Sequence, residues 1–274
     1  MSVVAISETV GSQGDAIGRE LARSRGWEFA DREIISRAAE RYGEGVMELR
    51  HITQERPSLW ERFTDSKRHY LSYVEATIFE LAAHAGVVLV GHGAAVLLRP
   101  LTHVLRVRVT APESVRAERV SHQQGLVPDA ALDFVRETDH ERAARIKFLY
   151  RVDLDDPLLY DLALNTERVN VAEGAALIAQ ALQIQRCQST ERSQATARDL
   201  SLAAQARAGL VRDPETRQLR VSITALDGVL TATGTVDSEP ARARVLEVVG
   251  RVGDADGVVD KITVVQFGRG FART

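Results

Sequence analysis

The chain has 274 residues, enough for one large domain or two smaller ones, and 45% of them are hydrophobic, as in an ordinary packed globular protein. The formal net charge of -3 gives no bulk attraction for nucleic acid, so we expect no nucleic-acid partner. The single cysteine, Cys187, excludes an internal disulfide and fits a reducing compartment. No apolar run reaches the roughly 20 residues that span a bilayer. No basic-then-apolar signal pattern opens the sequence either, so we expect a cytoplasmic protein without a transmembrane segment.

The first stretch of the chain predicts a strand, a glycine turn and a helix. Val3 to Ile6 is rich in β-branched residues, Gly11 to Gly14 forms the turn, and Asp15 to Arg25 has helical spacing that Gly26 ends. Such a loop leaves backbone N–H groups unpaired at the positive end of a helix dipole, which favours a bound phosphate. A glycine turn that joins strand to helix and binds nothing is the alternative on this pattern.

The loop lacks the full phosphate-loop signature G-x-x-x-x-G-K-[ST]. Gly14 or Asp15 stands at the lysine position, and Ala16 stands at the hydroxyl position. The chain has only three lysines, and none lies in this loop or its helix: Lys67, Lys147 and Lys261. Phosphate chemistry must therefore use arginine, backbone amides or a metal ion.

Two further strand ends carry polar residues, and α/β folds place their sites at such ends. Trp27 to Ala30 predicts a short strand that is followed by Asp31 and Arg32, and Gly86 to Gly91 predicts a buried parallel strand that is followed by His92. Asp31 is equally well explained as a helix N-cap. A protonated His92 would bind phosphate, whereas a neutral histidine bonded to backbone is the alternative.

Arginines gather on two successive predicted helices. Arg116 and Arg119 lie one turn apart on the first, and Asp139, Arg142 and Arg145 follow at three-residue spacing on the second. Such a group predicts a clamp on polyphosphate, and a solvated charged surface is the alternative.

Strands and helices alternate up to residue 182, which predicts a parallel sheet covered by helices. Val104 to Thr110 alternates apolar and charged residues, which predicts a strand toward the edge of that sheet. The polar stretch 44–68 predicts an excursion from the sheet, either a mobile substrate cover or a helical hairpin. The residues that follow 182 predict a linker, and beyond it a helix from Asp199, a hairpin with its turn at Asp227-Gly228, another helix and a third strand predict a compact α+β module.

Six fragments in order resemble the cytidylate kinase-like family, a branch of the nucleoside monophosphate kinases with the P-loop fold. They are ISxxxGSxGxxIG at 6–18, ADREII at 30–35, VLVGHGA at 88–94, VTAPESVRAER at 109–119, DHER at 139–142 and YDLALNT at 160–166. The resemblance implies an ATP donor with Mg²⁺ and a CMP-like nucleoside monophosphate acceptor.

The same resemblance implies roles for individual residues. Donor phosphates would be held by Gly11, Ser12 and Gly14; the acceptor would be faced by Asp31, Arg32 and His92; and the catalytic lid region would contain Arg116, Arg119, Asp139 and Arg142. The sequence departs from the family pattern at two positions, with Asp15 where the loop usually has a basic residue and His92 where it usually has arginine. A nucleotide-binding sensor without turnover is therefore the alternative to an active kinase.

The last part of the chain resembles a BON domain. Its motifs are DGVLTATGTV at 227–236 and DGVVDKITV at 256–264. We expect a P-loop kinase-like domain at 1–183, a linker at 184–198, a small αββαβ BON-like domain at 199–265 and a tail at 266–274. The BON-like domain would bind an unknown ligand or protein partner and regulate or localise the kinase-like domain.

Overall fold

Two sheets organise the described part of the chain in a computed structural model that describes residues 2–31, 33–43, 64–84, 86–184 and 188–265. Arg32, Cys187, the tail at 266–274 and most of the predicted excursion at 44–68 lie outside the described residues. None of the helices within the described ranges is long and apolar enough to cross a membrane.

The first sheet has five strands, which are all parallel and lie in the order β2-β3-β1-β4-β5. The strands are β1 (Val3–Glu8), β2 (Glu28–Ala30), β3 (Val87–Val90), β4 (Val104–Thr110) and β5 (Leu162–Asn165). This sheet confirms the predicted α/β class. Because parallel strands all point the same way, the ends of β1, β2 and β3 meet at one edge, where ligands bind in such folds.

Strand β4 lies toward an edge of the sheet, as predicted, but between β1 and the edge strand β5. Its charged residues have partners on neighbouring elements. Arg106 Nη2 donates to Asp161 Oδ1 at 2.7 Å, and Arg108 Nη1 donates to Ser7 Oγ at 2.9 Å. The alternating charge in this strand therefore reflects ion pairs and hydrogen bonds across the sheet, which the strand's own sequence does not reveal.

Helices cover both faces of this sheet. They are α1 (Gly14–Arg25), α2 (Glu33–Tyr42), α3 (Thr64–Ala83), α4 (Ala94–Leu97), α5 (Glu113–Gln124), α6 (Pro128–Tyr150) and α7 (Val171–Ala181). Val3 and Ala5 of β1 belong to the core beneath α2 and α3, while Val4 and Ile6 belong to the core beneath α1 and α7. The central strand is therefore buried on both faces, as its continuous apolar run predicts.

The second sheet belongs to the small C-terminal domain. Its elements are α8 (Glu191–Arg212), β6 (Val221–Leu226), β7 (Val229–Val236), α9 (Glu239–Gly250) and β8 (Gly257–Val264), with β6–β7 antiparallel and β7–β8 parallel. Asp227 and Gly228 form the hairpin turn with positive φ angles of 50° and 80°. Both of their N–H groups donate to the carboxylate of Asp199. The αββαβ order of the prediction is confirmed.

Helix α8 begins at Glu191, eight residues before the predicted start at Asp199, and so takes in part of the predicted linker. A capping box starts it, in which Ser193 N–H donates to Thr190 Oγ1 at 3.1 Å. This helix packs into two cores, since Ala204 and Ala208 pack in the first domain whereas Leu202 and Ala206 pack in the second. Because alanine contributes little to an apolar periodicity, the sequence pattern did not reveal this doubly packed helix.

Candidate active site

The glycine loop between β1 and α1 has the shape of an anion cradle. Gly11 and Gln13 have positive φ angles of 76° and 64°, and a Cβ on Gly11 would lie 2.8 Å from the carbonyl oxygen of Arg116. The buried Ser12 hydroxyl has no hydrogen-bond partner among the described residues. Within those same ranges no hydrogen bond uses the N–H groups of Gly11, Gln13, Gly14 or Ala16. These donors fit the phosphates of a nucleotide.

Arg116 and Asp139 hold this loop from behind. The Arg116 side chain donates to Asp139 Oδ2 at 2.5 Å and to the carbonyl oxygens of Val10 at 3.1 Å and Ala111 at 2.8 Å. Asp139 Oδ1 accepts the Val10 N–H at 3.0 Å. Only 5% of Arg116 is exposed. Arg116 and Asp139, both predicted lid residues, therefore contact the backbone of the loop in this structure.

Arg119 contacts the next part of the same loop. It donates to the carbonyl oxygen of Gly11 at 3.2 Å and to that of Thr166 at 2.7 Å. The Thr166 hydroxyl in turn donates to the carbonyl oxygen of Ser12 at 2.8 Å. Three consecutive loop carbonyls, at Val10, Gly11 and Ser12, therefore accept hydrogen bonds from side chains of the protein.

Glu8, the last residue of β1, is a site residue that sequence reasoning missed. Its carboxylate accepts the Asp15 N–H at 3.0 Å and lies 3.9 Å from Arg142 Nη1. A Cβ on Gly14 would lie 2.8 Å from both the Cβ and an oxygen of Glu8, so a lysine at position 14 would collide with Glu8 as it stands. Burial raises the pKa of Glu8, and the nearby Arg142 partly opposes that rise. The protein's own carboxylate therefore occupies an amide of the loop that a phosphate would otherwise use.

Asp31 and His92 follow the ends of the neighbouring strands β2 and β3. Asp31 Oδ1 lies 4.0 Å from where a Cβ on Gly91 would stand, and Asp31 also precedes α2, with its carbonyl accepting the Ile34 N–H. His92 adopts a left-handed backbone with φ 52°. Burial, followed by the positive charges of Arg142 and Arg145, lowers the pKa of His92 to about 4. The histidine is therefore neutral at physiological pH, which favours the uncharged alternative over a protonated phosphate ligand.

Arg108 adds a cation at this edge of the sheet that sequence reasoning did not assign to the site. Besides its bond to Ser7, it contacts Asp155 at 3.2 Å and lies 5.7 Å from the ring centre of Tyr160. Arg108 lies opposite Ser7 in the parallel register of β1 and β4, next to the glycine loop. The alternation of apolar and charged residues in β4 was the only sequence pattern that singled out Arg108.

Comparison with known proteins agrees with this geometry. The model of the cytidylate kinase-like family matches residues 3–168. The chain belongs to the cytidylate kinase-like family. A BON domain matches residues 198–266.

Relatives of this kinase-like domain share modest identity with it. The chain is 29% identical over 172 residues to the cytidylate kinase of Pyrobaculum calidifontis, which covers 62% of this chain and 87% of the relative. It is also 29% identical over 178 residues to the cytidylate kinase of Pyrobaculum aerophilum, covering 65% and 90%. An uncharacterized protein from Eubacterium ventriosum has a similar fold, with a TM-score of 0.52 and 16% identity over 68% of this chain and all of that chain.

The kinase-like domain thus brings most of its predicted site residues to one edge, apart from Arg32, which the structure does not describe. Gly11, Ser12 and Gly14 form the cradle, Asp31 and His92 lie at the neighbouring strand ends, and Arg142 lies beside the cradle. Arg116, Arg119 and Asp139 bind the loop from behind.

The residues of this kinase-like site fit Mg²⁺ only as part of a metal–nucleotide complex. No group of three or more His, Cys, Asp or Glu side chains suited to a metal occurs in the described ranges. Mg²⁺ needs only one or two carboxylates when phosphates and water complete its shell, and Glu8 has the carboxylates of Asp15 and Asp31 near enough to raise its pKa.

Proposed function

We propose that this protein transfers a phosphoryl group from ATP to a CMP-like nucleoside monophosphate. The observation that carries this proposal is the glycine loop, whose Ser12 hydroxyl and the amides of Gly11, Gln13, Gly14 and Ala16 have no partner among the described residues, while Arg142 contacts Glu8 at the same loop. Phosphoryl transfer depends on positioning and charge neutralisation more than on an acid or base. A loop of amides with an arginine beside it can supply both without the usual lysine.

The residues of the site would have separate roles in phosphoryl transfer. The amides of Gly11, Gln13 and Gly14 and the hydroxyl of Ser12 would hold the donor phosphates, and Asp31 would face the acceptor. The side chain of Arg142 is 39% exposed, against 6% for Arg116, and its remaining guanidinium donors would neutralise charge on the transferred group. Arg116, Arg119 and Asp139 would act as positioning residues that keep the loop in shape. Bound Mg²⁺ would neutralise charge on the donor phosphates.

A second function, nucleotide binding without turnover, is favoured by one observation. Glu8 places a negative charge against the loop and takes the Asp15 N–H, so a donor phosphate would meet both a repelling charge and an occupied amide. In that case the BON domain would report nucleotide binding to a partner. In either case we propose that this domain is a regulatory or ligand-binding module, and that the protein acts in the cytoplasm.

A coupled assay for ADP release from ATP and Mg²⁺, run with CMP, dCMP, UMP and AMP, tests the proposal. Calorimetric binding of the same nucleotides on the same preparation separates the two functions. We expect turnover with a cytidine monophosphate and its loss in Arg142→Ala, whereas Arg136→Ala on the same helix is the matched control because Arg136 pairs with the exposed Glu113. Binding without turnover would establish the sensor, and neither binding nor turnover would contradict both.

A further inference from the structure

A cavity of about 540 Å³ lies between the kinase-like domain and the BON domain, away from the glycine loop. The kinase-like domain contributes the end of α2, and the BON domain contributes one side of α8 and the segment after α9. Its volume lies in the range of sites for small molecules, which occur preferentially at domain interfaces.

Three arginines from three different elements line this cavity: Arg41, Arg212 and Arg251. The carboxylate among the described lining residues is Asp213, and Arg244 neutralises it through a contact of 2.6 Å. The described residues that line the cavity therefore include three positive charges and one negative charge, which favours an anion as the ligand.

The arginines differ in how much of their hydrogen-bonding capacity the protein uses. Arg212 is exposed and makes no hydrogen bond or ion pair in the described part of the chain. Arg251 pairs only with the exposed Glu247 one turn earlier, at 2.5 Å, among those residues. Arg41 forms an ion pair with Glu80 and donates to Gln205 at 3.1 Å. With respect to the described residues, Arg212 and Arg251 thus retain donors for a ligand.

The remaining wall suits a compact ligand. Gly209 and Gly253 line it without side chains, and Val248 supplies an apolar surface. Helix α8 packs in the cores of both domains, so the two sides of the cavity are joined by a single element. The site is therefore formed by the folded chain without a separate docking step.

We propose that this cavity binds a small phosphorylated anion through Arg212 and Arg251. Guanidinium groups recognise phosphate by charge-assisted, bidentate hydrogen bonds, and two such groups on separate elements suit a ligand with two phosphoryl groups. The proposal does not depend on kinase activity.

Inorganic pyrophosphate is the probe, titrated into the full chain by calorimetry. The wild type is compared with Arg212→Gln/Arg251→Gln, and Arg220→Gln is the matched control because Arg220 is an exposed arginine of the same domain outside the cavity. The double variant is expected to lose one binding site or to bind there at least about tenfold more weakly, since each lost charge-assisted bond contributes about a factor of ten or more. The control is expected to match the wild type.

The glycine loop is a second anion site, but neither Arg212 nor Arg251 touches it. If the wild type binds two pyrophosphates and the double variant binds one, the cavity is supported and the loop still binds. If the wild type binds one and the double variant binds none, the cavity is supported and donor binding at the loop is contradicted. Unchanged stoichiometry and affinity in the double variant, or no pyrophosphate binding to the wild type, would overturn the proposal. Urea unfolding verifies that each variant folds, and Arg212→Gln alone serves if the double variant does not.

Discussion

The glycine loop and the interdomain cavity are both rich in arginine, yet they use it in opposite ways. At the loop, Arg116 and Arg119 donate to backbone carbonyls and to Asp139, and Arg116 is almost fully buried. At the cavity, Arg212 makes no hydrogen bond or ion pair within the described residues, and Arg251 has one exposed partner. Residue type alone therefore does not distinguish an arginine that shapes a site from one that binds a ligand.

The partners of each arginine make that distinction. A buried guanidinium with three protein acceptors has few donors left for phosphate, and its removal leaves buried acceptors unpaired. An open guanidinium costs the fold little when it is removed. Arginine substitutions at the loop are thus expected to act on stability, and those at the cavity on binding.

The largest expected effect follows from Arg116→Ala. This change leaves Asp139 without its cation and two backbone carbonyls without a donor, so we expect the free energy of unfolding to fall by about 3–5 kcal/mol. Arg136→Ala is the control, because the Arg136–Glu113 pair is exposed and such pairs contribute about 0–1 kcal/mol. Urea unfolding of both variants measures the difference. Equal losses would show that Arg116 does not brace the loop.

Sequence patterns predicted the elements better than they predicted the contacts between them. Helix α1 at Gly14–Arg25 starts one residue before its predicted start, and strand β4 at Val104–Thr110 matches its predicted bounds, because local periodicity determines both. The role of Glu8 was not predictable, since it depends on a hydrogen bond that its carboxylate accepts from the N–H of Asp15, seven residues later in the chain. The loop-facing placement of Arg116 and Asp139 likewise arises from packing between α5 and α6, which no local pattern encodes.

A smaller effect is expected at the acidic side of the loop. Glu8→Gln keeps an acceptor for the Asp15 N–H and removes a negative charge that would face a donor phosphate. We expect ATP–Mg²⁺ to bind more tightly by about 1–2 kcal/mol, roughly five- to thirtyfold, as measured by calorimetry. Glu167→Gln provides the control, because Glu167 lies in the turn after β5, where its exposed side chain pairs with the neighbouring Arg168. Weaker binding in Glu8→Gln would instead indicate that this carboxylate helps to hold the metal.

The smallest expected effect concerns His92 and the pH dependence of stability. Because its pKa is about 4 in the folded protein and about 6.5 when unfolded, the unfolded chain binds more protons between these values. The contribution of His92 to stability is therefore fully present above pH 6.5 and is lost as the pH falls toward 4. Between about pH 7 and about pH 5.5, His92→Asn, which suits the left-handed backbone, should reduce that loss by about 1 kcal/mol, while the exposed His122→Asn should leave it unchanged. Urea unfolding at a series of pH values measures the free energy of unfolding of both variants. If that free energy changes with pH in the same way in the wild type and in His92→Asn, His92 is not held neutral by burial and by Arg142 and Arg145.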